Sequence, residues 1–68
     1  MLNIGTVKWF DTFKGYGFIE RRPGQDIFVH FSAVQTHGYR SLNSGQRVTY
    51  QLARGKHGWM AINVTPLV

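Results

Sequence analysis

The sequence has no cysteine, which excludes a disulfide framework and any thiolate metal site. No apolar run approaches the ~20 residues needed to span a bilayer, and no signal-peptide pattern opens the chain. A soluble intracellular protein is the expectation. Acidic side chains are scarce: three Asp/Glu stand against eight Lys/Arg, for a formal net charge of +5 on 68 residues. Such an imbalance points to a polyanionic partner, the alternative being charge that serves solubility alone. Sustained helical periodicity is missing too.

Aromatic residues, by contrast, are plentiful. Two Trp, three Tyr and five Phe exceed what the core of so short a chain needs. Strand signals dominate. Residues 4–10 (IGTVKWF) are rich in β-branched and aromatic types and predict a first strand. Residues 16–21 (YGFIER) predict a second and residues 26–30 (DIFVH) a third. The turn between them holds Pro23 and Gly24, Pro presetting one dihedral and Gly tolerating the positive one that follows. A short helical turn is expected at 32–35 within a long irregular stretch, 31–45. Residues 47–54 (RVTYQLAR) alternate with period two as a fourth strand, and 59–65 (WMAINVT) form a fifth. The fold class is all-β: a five-stranded antiparallel Greek-key β-barrel occupying the whole chain as one domain.

Alternation then sorts the side chains. Ile19, Ile27 and Val29 suit the barrel interior, which turns Tyr16, Phe18, Phe28 and His30 outward together. The alternative, that these rings pack beneath a helix, lacks material. Residues 31–45 are the only segment outside strands and tight turns, and they carry no apolar stripe long enough to cover them. Rings left in water are a docking surface. Lys8, Lys14, Arg40, Arg54 and Lys56 fall on strand ends and loops around it. Flat rings among cations are what unpaired bases on a phosphate backbone require, with stacking worth ~1–3 kcal/mol per base.

Lys14-Gly15-Tyr16-Gly17-Phe18-Ile19 resembles the first ribonucleoprotein motif of the bacterial cold-shock proteins. Ile27-Phe28-Val29-His30-Phe31 resembles their second, and Val7-Lys8-Trp9-Phe10 their opening strand. Phe31-Ser32-Ala33-Val34, Gly38-Tyr39-Arg40-Ser41-Leu42, Gly45-Gln46-Arg47-Val48 and Ala61-Ile62-Asn63-Val64 match further landmarks in order. The resemblance implies an oligonucleotide-binding-type barrel without enzymatic activity or cofactor, acting in the bacterial cytoplasm. Its partners would be single-stranded RNA and DNA, pyrimidine-rich strands preferred, and its role that of an RNA chaperone or transcription antiterminator. It implies base stacking by Trp9, Tyr16, Phe18, Phe28, His30, Phe31 and Tyr39, with polar or phosphate contacts from Lys8, Lys14, Asp26 and Lys56 and with Phe10 bordering the platform. Strict alternation places Trp9 with Val7, so an outward Trp9 requires a bulge or an edge position.

Several positions depart from the family pattern. Asp11 stands where Asn is usual, placing an anion near phosphates and weakening contact there. Phe13 occupies a normally polar or small position, and either extends the platform or lies on the surface. Tyr16 and Tyr39 replace Phe, preserving stacking and adding hydroxyls. Trp59-Met60 replaces Pro-Gln; Trp59 either stacks a further base or closes the barrel mouth. Arg21, Arg22 and Arg47 read as solvated surface. The rival functions are a nuclease and a protein-interaction barrel. His30, His37 and His57 lack metal-ligand or acid–base spacing to Asp11, Glu20 and Asp26. A monomer is the expected state, with residues 31–45 able to hinge a strand-exchanged dimer.

Overall fold

The computed structural model describes residues 2–35, 41–56 and 58–67. β-Branched and aromatic residues disfavoured in helices build the five expected strands. They are β1 (Asn3–Asp11), β2 (Tyr16–Arg22), β3 (Gln25–His30), β4 (Arg47–Gly55) and β5 (Gly58–Pro66). Each strand extends a residue or so past its sequence-derived bounds wherever pairing continues into the turn. Arg22 still pairs with Gln25, and Gly55 with Gly58.

The strands close a barrel in the order β1-β2-β3-β5-β4. Four seams are antiparallel. The fifth, β3 against β5, is parallel through Phe28↔Met60 and Val29↔Ala61. This corrects the expectation of antiparallel pairing throughout, and the reason is parity. Around a closed ring, antiparallel neighbours must alternate in direction, which an odd number of strands cannot do. The helical turn is also displaced from its expected place, occupying Phe31–Ala33 as a 3-10 helix. His30 caps it, accepting from the Ser32 N–H. It stops because Val34 is drawn into a parallel bridge with Val64 and buried.

Val7, Ile19, Ile27 and Val29 point inward as alternation requires, joined by Val34, Leu42, Val48, Tyr50, Ala61 and Val64. Tyr50 is wholly buried. Among the described residues its hydroxyl has no hydrogen-bond partner. Burial pushes the phenol pKa up, opposed by the charge of Arg21.

Two local devices shape the outer face. The β1–β2 register shifts between Val7 and Trp9, leaving Lys8 as the extra residue of a bulge. Beside it Gly17 is paired with Phe10, and a Cβ there would collide with the Trp9 carbonyl oxygen and meet Phe10 Cα at 2.7 Å. Only glycine allows that approach. At the hairpin tip, Asp11 Oδ1 accepts the N–H groups of Phe13 (3.0 Å) and Lys14 (2.9 Å), and Gly15 closes the turn at φ +82° by donating to the Asp11 carbonyl (2.7 Å). The carboxylate is thus engaged with its own loop, a bond that an asparagine amide oxygen would make equally well.

Two stability predictions follow from these contacts. Tyr50→Phe keeps the ring and removes an unpartnered buried hydroxyl, so the unfolding free energy rises by ~1 kcal/mol. Urea denaturation checks it through a raised midpoint at constant m-value, and a drop of similar size would mean the hydroxyl makes a stabilising bond. Asp11→Ala removes two loop hydrogen bonds and lowers stability by ~1–2 kcal/mol, whereas Asp11→Asn stays within ~0.5 kcal/mol of the parent.

Candidate nucleic-acid interface

Antiparallel register stacks the outward side chains of β2 and β3 into rungs. Tyr16 lies opposite His30, Phe18 opposite Phe28, and Glu20 opposite Asp26. The bulge at Lys8 brings Trp9 opposite Phe18 while Val7, opposite Ile19, remains inside. Four rings form a connected lattice as a result. Trp9 meets Phe18 at 5.4 Å and Tyr16 at 5.6 Å between centroids, both edge-on. Phe28 lies 5.9 Å from Tyr16, stacked, and 5.9 Å from Phe18, edge-on. Trp9 is 39% exposed, and Tyr16, Phe18 and Phe28 are half-buried. Their edges rest on one another, so they stand less free in water than the sequence suggests, yet none is sealed inside.

The platform continues at both ends. His30 and Phe31 lie 4.5 Å apart, with Phe31 exposed and His30 Nδ1 held 2.8 Å from the Ser32 hydroxyl. On the opposite flank Trp59 is 53% exposed and belongs to no part of the barrel interior. It faces Phe18 and Phe28 across a groove of about 460 Å³ that Lys56 and Met60 also line. A second hollow of about 560 Å³ runs from the same three rings toward Arg21, Gln25 and Asp26. Arg54 pairs with Trp59 across the β4–β5 hairpin and lies 5.1 Å over its ring. That cation–π contact fixes the indole at the groove's edge. It was readable in principle: a two-residue turn between Gly55 and Gly58 sets Arg54 opposite Trp59.

The charged residues divide into two groups. Lys8 donates to Asp26 Oδ2 at 2.9 Å. That bond and the Asp26 charge hold the ammonium above the ordinary lysine range, against the opposing effect of desolvation and with a lesser push from the Glu20 charge. Lys8 therefore reaches a phosphate only in competition with Asp26. Lys14, Arg54 and Lys56 are exposed, and among the described residues the only ion pair is Lys8–Asp26. Phe10 packs against the core edge beside Gly17, outside the ring lattice. Tyr39, with Arg40, His37 and His57, lies outside the described residues.

Partly exposed rings gathered on one face and edged by cations can hold a strand whose bases are unpaired. Comparison with known proteins agrees. Residues 3–67 match the model of the 'cold-shock' DNA-binding domain. The chain is 51% identical over 63 residues to the major cold shock protein of Streptococcus pyogenes serotype M18, covering 93% of this chain and 94% of that one. It is 55% identical over 60 residues to cold shock protein CspC of Bacillus subtilis strain 168, covering 88% and 91%. It is also 55% identical over 62 residues to cold shock protein 2 of Lactiplantibacillus plantarum, covering 91% and 94%. Among solved structures, drosophila Unr CSD456 superposes with a TM-score of 0.80 at 21% identity. The match takes in 100% of this chain but 27% of that one, a likeness of fold alone. With the lattice of rings, the match across 3–67 and relatives more than half identical, the chain belongs to the cold-shock DNA-binding domain family.

Proposed function

We propose that the protein binds single-stranded RNA and DNA by stacking unpaired bases on Trp9, Tyr16, Phe18, Phe28, His30 and Phe31, with Trp59 taking a further base across the groove. The four-ring lattice on the outer face of β1–β3 is the observation that carries this reading. Each ring packs edge-on or stacked against its neighbours, so the platform is assembled before the ligand arrives and little ordering cost remains at binding. Lys14 and Lys56 supply phosphate contacts, and Asp26 and Lys8 polar contacts beside the Phe18–Phe28 rung. Tyr39 joins the stacking set by its place in the family pattern.

Duplexes hide their base faces, so the platform takes only strands that are open or have melted. By binding the open form alone it shifts RNA away from secondary structure through mass action. That is the physical content of an RNA-chaperone or antitermination role, and we assign the protein to it, acting in the cytoplasm as a monomeric single-domain barrel. A preference for pyrimidine-rich strands belongs to the same proposal.

Tryptophan fluorescence titration with short oligonucleotides at two salt concentrations tests it. Phe18→Ala and Phe28→Ala are each expected to weaken binding by ~1–3 kcal/mol while unfolding stays cooperative. Loss of the folded state would make those rings structural. The log–log salt dependence should fall by about 0.7 per phosphate contact; a flat response would mark an apolar protein-binding surface instead. Equal affinity for a hairpin stem and an unstructured strand would contradict the stacking model, and equal binding of oligo-dT and oligo-dA would remove the pyrimidine preference.

A further inference from the structure

The tip of the β1–β2 hairpin carries a ring that the platform does not use. Phe13 is 100% exposed, while Trp9 keeps most of its surface against its neighbours. An apolar ring wholly in water gains nothing for the fold. Yet the loop that presents it is tied down on every side. Asp11 Oδ1 accepts the Phe13 and Lys14 N–H groups, Gly15 donates to the Asp11 carbonyl, and the Thr12 and Ser41 hydroxyls lie 2.8 Å apart. Phe13 is held out.

Its surroundings indicate what it is held out for. The Phe31 N–H donates to the Gly15 carbonyl at 2.8 Å, and a Cβ on Gly15 would meet Phe31 Cδ1 at 2.8 Å. The loop therefore abuts the His30–Phe31 end of the platform. Lys14, the next residue, is exposed, and the loop's carboxylate is occupied by its own backbone. We infer that Phe13 inserts between two consecutive nucleotides of the bound single strand as it runs off the His30–Phe31 end, lengthening the footprint beyond the platform. A ring backed by its neighbours offers one face to one base. Phe13 offers two, and Lys14 stands beside it for a phosphate at the insertion. This inference rests on the platform being the single-strand site.

Oligothymidylates of stepped length, from about four to about twelve nucleotides, separate the two ideas. The parent, Phe13→Ala and Phe13→Tyr chains are titrated with each by tryptophan fluorescence. The shortest strands, confined to the platform, bind parent and Phe13→Ala alike, within about twofold. Longer strands bind the parent more tightly by about fivefold or more, the worth of one stacked base. Phe13→Ala lacks that gain and Phe13→Tyr keeps it, with thermal unfolding the same in all three. An equal length-dependent gain in the parent and Phe13→Ala overturns the insertion and leaves the ring for another kind of partner, such as a protein. Failure of the shortest strands to bind the parent sinks the platform reading itself, and the insertion with it.

Discussion

The interior of a barrel closed by five short strands is narrow, and that limit governs everything outside it. Val7, Ile19, Ile27, Val29, Val34, Leu42, Val48, Ala61 and Val64 fill it, and Tyr50 is the only aromatic residue buried in the core among the described residues. A bulky ring added there would force neighbours from their rotamers. Trp9, Tyr16, Phe18 and Phe28 therefore lie on the outer face, where they gain burial from one another. The edge-on and stacked contacts among Trp9, Tyr16, Phe18 and Phe28 are that partial burial. It keeps the rings in place without removing them from solvent. A surface that is unfavourable for an isolated chain becomes useful once flat, charged strands are available to cover it.

Lys8 links this apolar arrangement to the charges. As the extra residue of the bulge it reverses the facing of β1 between Val7 and Trp9, and its side chain reaches Asp26 at the end of the β2–β3 ladder. One position thus turns Trp9 to the outer face and clasps the acidic rung below Phe18 and Phe28. Asp11 is occupied in a comparable way by its own loop. Lys14, Arg54 and Lys56 present exposed positive charge around the rings, Arg21 lines the hollow beside them, and Arg22 and Arg47 are exposed as well. Positive charge of this kind draws a polyanion near, and outward rings favour unpaired strands over paired ones.

Trp59 is placed by two seams of the barrel. The parallel seam between β3 and β5 brings Met60 beside Phe28, and the β4–β5 hairpin lays Arg54 over Trp59. The groove between this hairpin and the Phe18–Phe28 rung is lined chiefly by apolar side chains. A base seated there would be gripped by its faces rather than read at its edges, so contact at this point favours strength over discrimination.

Much of this was legible in the chain alone. Composition and period-two alternation identified five strands, an interior of Ile19, Ile27 and Val29, and a shared outward face for Tyr16, Phe18, Phe28 and His30, because a strand's facing is a local property of its backbone. Alternation also identified its own failure at Trp9, which demanded a bulge or an edge position; the structure chose the bulge and placed the extra residue at Lys8. Tertiary closure decided the rest. An odd-numbered ring forced the parallel β3–β5 seam, the bridge from Val34 to Val64 shifted the helical turn, and contact between distant segments joined Lys8 to Asp26, Gly15 to Phe31 and Trp59 to the Phe18–Phe28 groove. None of those pairings repeats with a period along the chain, so only the closed barrel could bring them together.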